Sequence, residues 1–431
     1  MTPAFLICMG VMFGLAAMGA PIAYAILIAC FAYLAAAGES IGVAGKVMMD
    51  GLYQSFILLA VPLFIVAANI MNAGTISDRL LRFCVGLVGR VKGGLGHVNV
   101  LASLVFSGMS GSAVADAAGI GKLIIDMMVK SGHYTRGYAA AITAASATIG
   151  PIIPPSIPMV LYSLVSNASI GFLFLAGIVP GLLFGAVLMA LNAVIAHRRG
   201  FGVEEAVPLR ELPRLTLDAG PALLMPAILL YGIYGGVTTP TEAAAVAALY
   251  ALVLAALFYR ALSLRTFYEI LVTSARSSAS VGLVIGGALV LNYVVAAENI
   301  PGRVAGALVG LEVSPLAFLL AVNLLLLVLG CLLDTSTIIL VILPLFIPAC
   351  RELGIDLVHF GVVAIVNCMI GLITPPYGIL LFVINAVTRI PLAEIIREIW
   401  IFVGVLVAAL LSLILFPGMV LWLPRLFGYE G

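Results

Sequence analysis

The chain has 431 residues, 64% of them hydrophobic and 9% charged, with a mean hydropathy of +1.26 and a formal net charge of +1. Soluble domains carry about 25% charged residues, so this composition belongs to a polytopic membrane protein. The small net charge argues against a nucleic-acid partner, and six scattered cysteines without a CxxC pair argue against a disulfide framework or a thiolate metal site.

The first 38 residues carry no charge and lack the basic segment and cleavage site of a signal peptide. They are expected to form two spans, 3–19 and 22–38. A crossing helix needs about 20 apolar residues, and further crossings are expected at 56–72, 138–165, 172–196, 222–236, 241–259, 277–297, 360–387 and 400–424. The stretches 98–129 and 315–349 are too long for one helix. Both are interrupted by small polar residues, "SGMSGSAVAD" (107–116) and "GCLLDTST" (330–337), and each reads as a re-entrant hairpin. Segments 77–94 and 263–276 mix arginines with apolar faces, as helices lying along the cytoplasmic surface would. The polar connection 197–218 reads as a solvated linker. The four histidines (His97, His133, His197, His359) sit near predicted span ends, none with a second ligand at a helical spacing.

With ten crossings and two hairpins, one side receives fifteen of the twenty basic residues and the other four, with Lys122 inside a hairpin. The positive-inside rule makes the first side cytoplasmic and puts both termini on the periplasmic side. "IGPIIPP" (149–155) returns as "IGLITPP" (370–376), and Pro21 has a counterpart at Pro240, all at offsets near 221. "GTISDRL" (74–80) has a weaker echo in "ENIPGRV" (298–304). The expected division is therefore 1–196, a cytoplasmic linker 197–221, and 222–431, each half holding five crossings and one hairpin. An odd number of crossings inverts the second half relative to the first, a construction typical of secondary transporters.

In each half a hairpin tip is followed by a proline-broken helix: Pro151, Pro154, Pro155 and Pro158 in one, Pro375 and Pro376 in the other. A proline removes a backbone donor and costs about 3 kcal/mol inside a helix, so irregular backbone at membrane depth must line protein or a water-filled cavity. Carbonyls freed at half-helix C-termini suit Na+, and half-helix N-termini suit carboxylates. Ser107, Ser110 and Ser112 at the first tip, and Asp334, Thr335, Ser336 and Thr337 at the second, offer oxygen donors of the kind that favour a hard cation. Gly150, Gly371 and Thr374 lie beside the breaks. Small residues of this kind often only let helices pack closely, but their recurrence at two pseudo-symmetric breaks favours function. Asp334 and Asp116 are intramembrane carboxylates and so functional candidates.

Other motifs read as structural. Lys122 and Asp126, four apart, suit a charge-neutralising pair. Thr239-Pro240-Thr241-Glu242 matches a capping box. Gly108-Met109-Ser110-Gly111 matches the GxSG of rhomboid-type intramembrane proteases but lacks a histidine at similar depth, which disfavours an enzyme.

"SGSAVADAAGIG" (110–121), "GPIIPPSIPMVLY" (150–162), "PTEAAAVAALYAL" (240–252) and "IGLITPPYGILLF" (370–382) resemble the large membrane subunit of tripartite ATP-independent periplasmic (TRAP) transporters, from the first span to nearly the last. The resemblance implies Na+-driven import of an organic acid, such as a C4-dicarboxylate, sialic acid or another sugar acid, across the bacterial inner membrane. It also implies an elevator-type fold, a separate small four-helix membrane subunit, a periplasmic substrate-binding protein, and no cofactor beyond Na+. Carried onto this chain, one sodium site falls on Ser110, Gly111, Ser112, Gly150, Ile153 and Pro155, and the other on Asp334, Thr335, Thr337, Gly371 and Thr374. The substrate-facing set is Ser107, Ser112, Asp116, Pro154, Ser336, Pro375 and Pro376. A stand-alone Na+/dicarboxylate symporter or antiporter of the same architecture is the alternative.

Overall fold

The computed structural model describes residues 2–72, 75–203, 208–300, 302–303 and 314–431. Among them the chain is helical throughout, with no strand. Among the described residues, five helices are long and apolar enough to cross a membrane unaided: Ile170–Arg199, Leu212–Tyr234, Pro240–Phe258, Leu264–Ala297 and Leu392–Leu415. The other five expected crossings take different forms. Pro3–Ala17 and Ile22–Ala37 are helices of 15 and 16 residues, or about 22–24 Å at 1.5 Å per residue, short of a hydrocarbon core of about 30 Å. Each has clear end signals: Thr2 caps the first, with Pro3 at its first position, and the left-handed Gly38 ends the second.

The expected span 56–72 is one arm of a bent pair, Gly42–Gln54 and Phe56–Met71, which meet at 74°. The bend falls at Ser55, whose backbone leaves the helical region (φ −101°, ψ 89°). Pro62 lies in the first turn of the helix Ala60–Met71, where its missing N–H is tolerated, so the helix restarts there rather than running through. The helix 42–54 was not expected. Its counterpart in the second half corrects another expectation: 263–276 is not a separate surface helix but the first part of the continuous 34-residue helix Leu264–Ala297. Ser263 caps it, and no glycine or proline interrupts it before Gly282. The segment 77–94 does contain a separate helix, Thr75–Val88. The linker is shorter than expected, since one helix runs to Arg199 and the next begins at Leu212. Residues 204–207 of the linker, and 74, 301 and 304 of the weaker sequence echo, lie outside the described residues.

The remaining two crossings are split at their prolines. Arg136–Ala147 and Ile157–Ser166 flank the first break, and Leu357–Gly371 and Ile379–Thr388 flank the second. Both Pro154–Pro155 and Pro375–Pro376 peptide bonds are cis. The two polar-interrupted stretches are helix–turn–helix units. Gly94–Ser110 turns at Gly111 into Ala113–Asp116 and Lys122–Ser131, while Pro315–Gly330 turns into Thr335–Thr337 and on to Glu352. Each second leg contains one wide π turn, at Ala117–Gly121 and at Ile338–Ile342, spaced by the same 221 residues as the prolines.

The halves interlock at these turns. The half-helix Ile157–Ser166 packs on the π turn of the second hairpin, and Ile379–Thr388 packs on that of the first. Polar contacts at the molecule's ends join residues that the charge count puts on one side. At one end Thr2 meets Glu298, Tyr293 meets Glu39, Arg351 reaches the Ser166 carbonyl and Tyr429 meets Asp356. At the other end Arg199 forks onto Glu398 at 2.8 and 2.9 Å, and Arg79 lies 4.0 Å from Asp218.

Candidate functional site

Each hairpin tip meets the proline break of its own half. In the first half Gly111 takes a left-handed conformation (φ +58°), which ends the leading helix and turns the chain; a Cβ there would lie 2.4 Å from the Pro155 carbonyl oxygen. Only a glycine meets both demands. Ser112 caps the returning helix by accepting the Ala115 N–H at 3.3 Å. Ser110 donates its hydroxyl to one oxygen of Asp116, across the turn. The other carboxylate oxygen, Oδ2, is buried without a hydrogen-bond partner and faces Gly150, where a Cβ would lie 2.5 Å away. Ser110, Asp116 and Gly150 therefore form one cluster.

Other expected residues of the first half turn elsewhere. Ser107 donates to the Leu104 carbonyl of its own helix at 2.6 Å. Ile153 points its side chain at Gly181 of the helix Ile170–Arg199. Pro154 is buried, with its carbonyl toward Gly108.

In the second half the carboxylate sits at the tip itself. Asp334 caps the returning leg, accepting the Thr337 N–H at 3.1 Å on one oxygen and the Thr337 hydroxyl on the other. The short helix Thr335–Thr337 packs on Leu357–Gly371. Gly371 is pressed against Gly330, so that a Cβ would lie 2.7 Å from the Gly330 Cα. Thr374 donates to the Ile370 carbonyl at 2.7 Å, which occupies its hydroxyl proton and leaves the oxygen lone pairs. Ser336 is half-buried.

The two breaks differ in exposure. Pro154, Pro155 and Ser156 are all buried, whereas Pro375 is half-buried, Pro376 is exposed and Tyr377 is 59% exposed. The half-helix leaving the open break, Ile379–Thr388, runs toward Arg389.

Two polar couplings were missed by sequence reasoning. Asn99 donates to Thr143 at 2.5 Å and accepts from Ser146 at 2.9 Å, pinning the first hairpin to its broken helix. Asn367 donates to Asn323 at 2.9 Å and does the same in the second half. The signal was present: Ser146 and Asn367 are 221 residues apart, and Asn99 and Asn323 are 224 apart.

Among the described residues, four buried side-chain oxygens lack a hydrogen-bond partner: Asp116 Oδ2, Thr238 Oγ1, Thr335 Oγ1 and Asn367 Oδ1. Three of the four belong to the hairpins and broken helices. Such groups cost about 1–3 kcal/mol each when left unmatched, so unpartnered oxygens of this kind suit a cation. A cavity of about 600 Å³ includes none of the tip residues Ser110–Ser112 or Asp334–Thr337 in its lining. It opens between Ser55, Asn167 and Thr238.

The family profile described as "Tripartite ATP-independent periplasmic transporter, DctM component" matches residues 9–419. The chain is 42% identical over 418 residues to the sialic acid TRAP transporter large permease protein SiaM of Vibrio cholerae, covering 96% of this chain and 97% of that protein. It is 39% identical over 375 residues to the C4-dicarboxylate TRAP transporter large permease protein DctM of Pseudomonas aeruginosa, covering 87% and 88%. Among solved structures, the YdaH transporter of Alcanivorax borkumensis superimposes with a TM-score of 0.62 at 15% identity, covering 87% of each chain, a likeness of fold alone.

Proposed function

The chain belongs to the DctM family, the large permeases of TRAP transporters, and on that premise we propose that it imports an organic acid in symport with Na+. The observation that carries this reading is the set of unpartnered buried oxygens of Asp116, Thr335 and Asn367 around the two tips. They are oxygen acceptors, with no nitrogen or sulfur among them, and they sit beside broken backbone, which is the setting a transporter uses for a hard coupling cation. Asp116 then belongs with the ion cluster of Ser110 and Gly150 rather than with the substrate-facing residues. Asp334 and its threonines form the second ion cluster. The half-helix N-termini at Ser156 and Gly378 take the substrate carboxylate.

The unequal breaks support alternating access. One break is enclosed and the other is exposed at Pro376 and Tyr377, an inequality that suits a transporter held with one side accessible. Movement of hairpins and broken helices as one body would carry the site across, in the elevator manner. The fifteen-to-four distribution of basic residues supports a bacterial inner-membrane location with both termini periplasmic. The relatives' names, sialic acid in one case and C4-dicarboxylates in the other, support a small organic acid as substrate. A separate small membrane subunit and a periplasmic binding protein complete the transporter.

The test is reconstitution in proteoliposomes with the small subunit and binding protein, under an inward Na+ gradient. Uptake that requires both Na+ and the binding protein is expected. Uptake indifferent to Na+ overturns the coupling, and Na+-driven uptake by this chain alone establishes the stand-alone symporter instead.

A further inference from the structure

At the basic end of the molecule the helix Thr75–Val88 packs on Leu212–Tyr234. Two cavities open along this contact. One, about 360 Å³, is lined by Arg79, Arg82, Arg214, Asp78 and Asp218 together with Leu215. The other, about 470 Å³, has an apolar wall of Leu81, Val85, Met127 and Leu215. Asp78, Arg82 and Leu215 line both, so the two adjoin. The result is a trough with a charged head and an apolar tail.

The charges are unevenly used. Arg79 is engaged, 4.0 Å from Asp218 and over the Tyr259 ring at 4.8 Å. Arg82 and Arg214 are exposed and have no ion-pair partner among the described residues. Asp78 lies in the same cavities as Arg82, with Glu211 in the second. Two free guanidinium groups suit a phosphate. The neighbouring carboxylates would repel a plain anion but match a ligand that also carries a positive group. The apolar wall beside them suits hydrocarbon.

We propose that this trough binds a phospholipid with a zwitterionic, amine-bearing headgroup, phosphate on Arg82 and Arg214 and ammonium on Asp78, with an acyl chain along Leu81, Val85 and Met127. The hairpin contributes Met127 and the helix Leu212–Tyr234 contributes Arg214, so the lipid bridges the hairpin to that helix. The proposal does not depend on which substrate or ion the protein carries.

The test is the melting temperature of the purified full chain in detergent, titrated with phosphatidylethanolamine, phosphatidylglycerol or inorganic phosphate. Phosphatidylethanolamine is expected to stabilise at the lowest concentration. A basic residue near a lipid phosphate contributes about fivefold in affinity, so the double variant Arg82→Gln/Arg214→Gln should need about thirtyfold more of that lipid. Both side chains are exposed, so its lipid-free melting temperature should stay at the wild-type value. Asp78→Asn should move the preference toward phosphatidylglycerol. Equal responses to the two lipids, stabilisation by inorganic phosphate alone, or a wild-type titration from the double variant would each overturn the proposal.

Discussion

Gly150 and Asp116 are packed so closely that a methyl group on the glycine would lie 2.5 Å from the unpartnered carboxylate oxygen. The contact joins the first hairpin to the first break and leaves no slack for a larger residue. Gly150→Ala must push the carboxylate aside, at a cost of about 1–3 kcal/mol for overpacking a filled core. If Asp116 belongs to an ion cluster, that displacement should raise the Na+ concentration for half-maximal uptake by about tenfold or more. Sodium titration of uptake in proteoliposomes measures it; an unchanged half-saturation would remove Asp116 from the ion site.

Asp334 combines a cap and a charge, and the two can be separated. Asparagine caps a helix about as well as aspartate, whereas alanine loses about 1 kcal/mol. Asp334→Asn should therefore preserve the melting temperature while weakening the response to Na+, and Asp334→Ala should lose both. A sodium response in Asp334→Asn equal to that of the wild type would confine the residue to capping.

The Gly330–Gly371 contact is backbone against backbone, so no side-chain rotation can relieve a clash there. Gly371→Ala should destabilise the protein by about 1–3 kcal/mol or more, seen as a lower melting temperature in detergent. Gly10, in the helix Pro3–Ala17, has no atom within 4 Å of its would-be Cβ. Gly10→Ala should be neutral or stabilising, because alanine favours the helix by up to about 1 kcal/mol. Equal effects from the two substitutions would mean that the tight contact does not carry the second break.

The sequence exposed the two hairpins and the two breaks because their defining residues are conspicuous in apolar surroundings: Ser110 to Ser112, Asp334 to Thr337, and the paired prolines. It hid features that depend on what lies opposite a residue. Asn99 and Asn367 are single amides in hydrophobic runs, and only their repeat-spaced counterparts Asn323 and Ser146 mark them; that Thr143 faces Asn99, or Asn323 faces Asn367, shows only in the fold. The sequence places Asp116 with the substrate-facing residues, apart from Ser110, because six positions is not a helical spacing, yet the turn at Gly111 folds the two together. The arginines of 263–276 resembled a surface helix, although that segment is one end of a helix long enough to extend beyond the apolar layer. The bend at Ser55 left little mark, since only Pro62, seven residues on, explains where the helix restarts.

Glu298 ties the amino-terminal segment to the far end of the helix Leu264–Ala297. It accepts hydrogen bonds from the Thr2 hydroxyl, from the Thr2 N–H at 3.1 Å and from the Tyr33 hydroxyl at 3.2 Å. The bonds from Thr2 hold its carboxyl below the ordinary glutamate range, outweighing the upward push of burial. A depressed folded pKa means that the contact contributes fully above the unfolded value, about 4.3, and is lost as pH falls through the lower folded value. The segment should therefore stay docked at neutral and mildly acidic pH and release only in stronger acid. Hydrogen exchange of the Phe5 and Leu6 amides between pH 7 and pH 3, corrected for intrinsic rates, would follow this release. Glu298→Gln keeps the shape but loses the charge, so its exchange at pH 7 should already be faster than that of the wild type. Wild-type release at or above the ordinary carboxylate range, or a Glu298→Gln variant as protected as the wild type at pH 7, would show that this carboxylate does not hold the terminus.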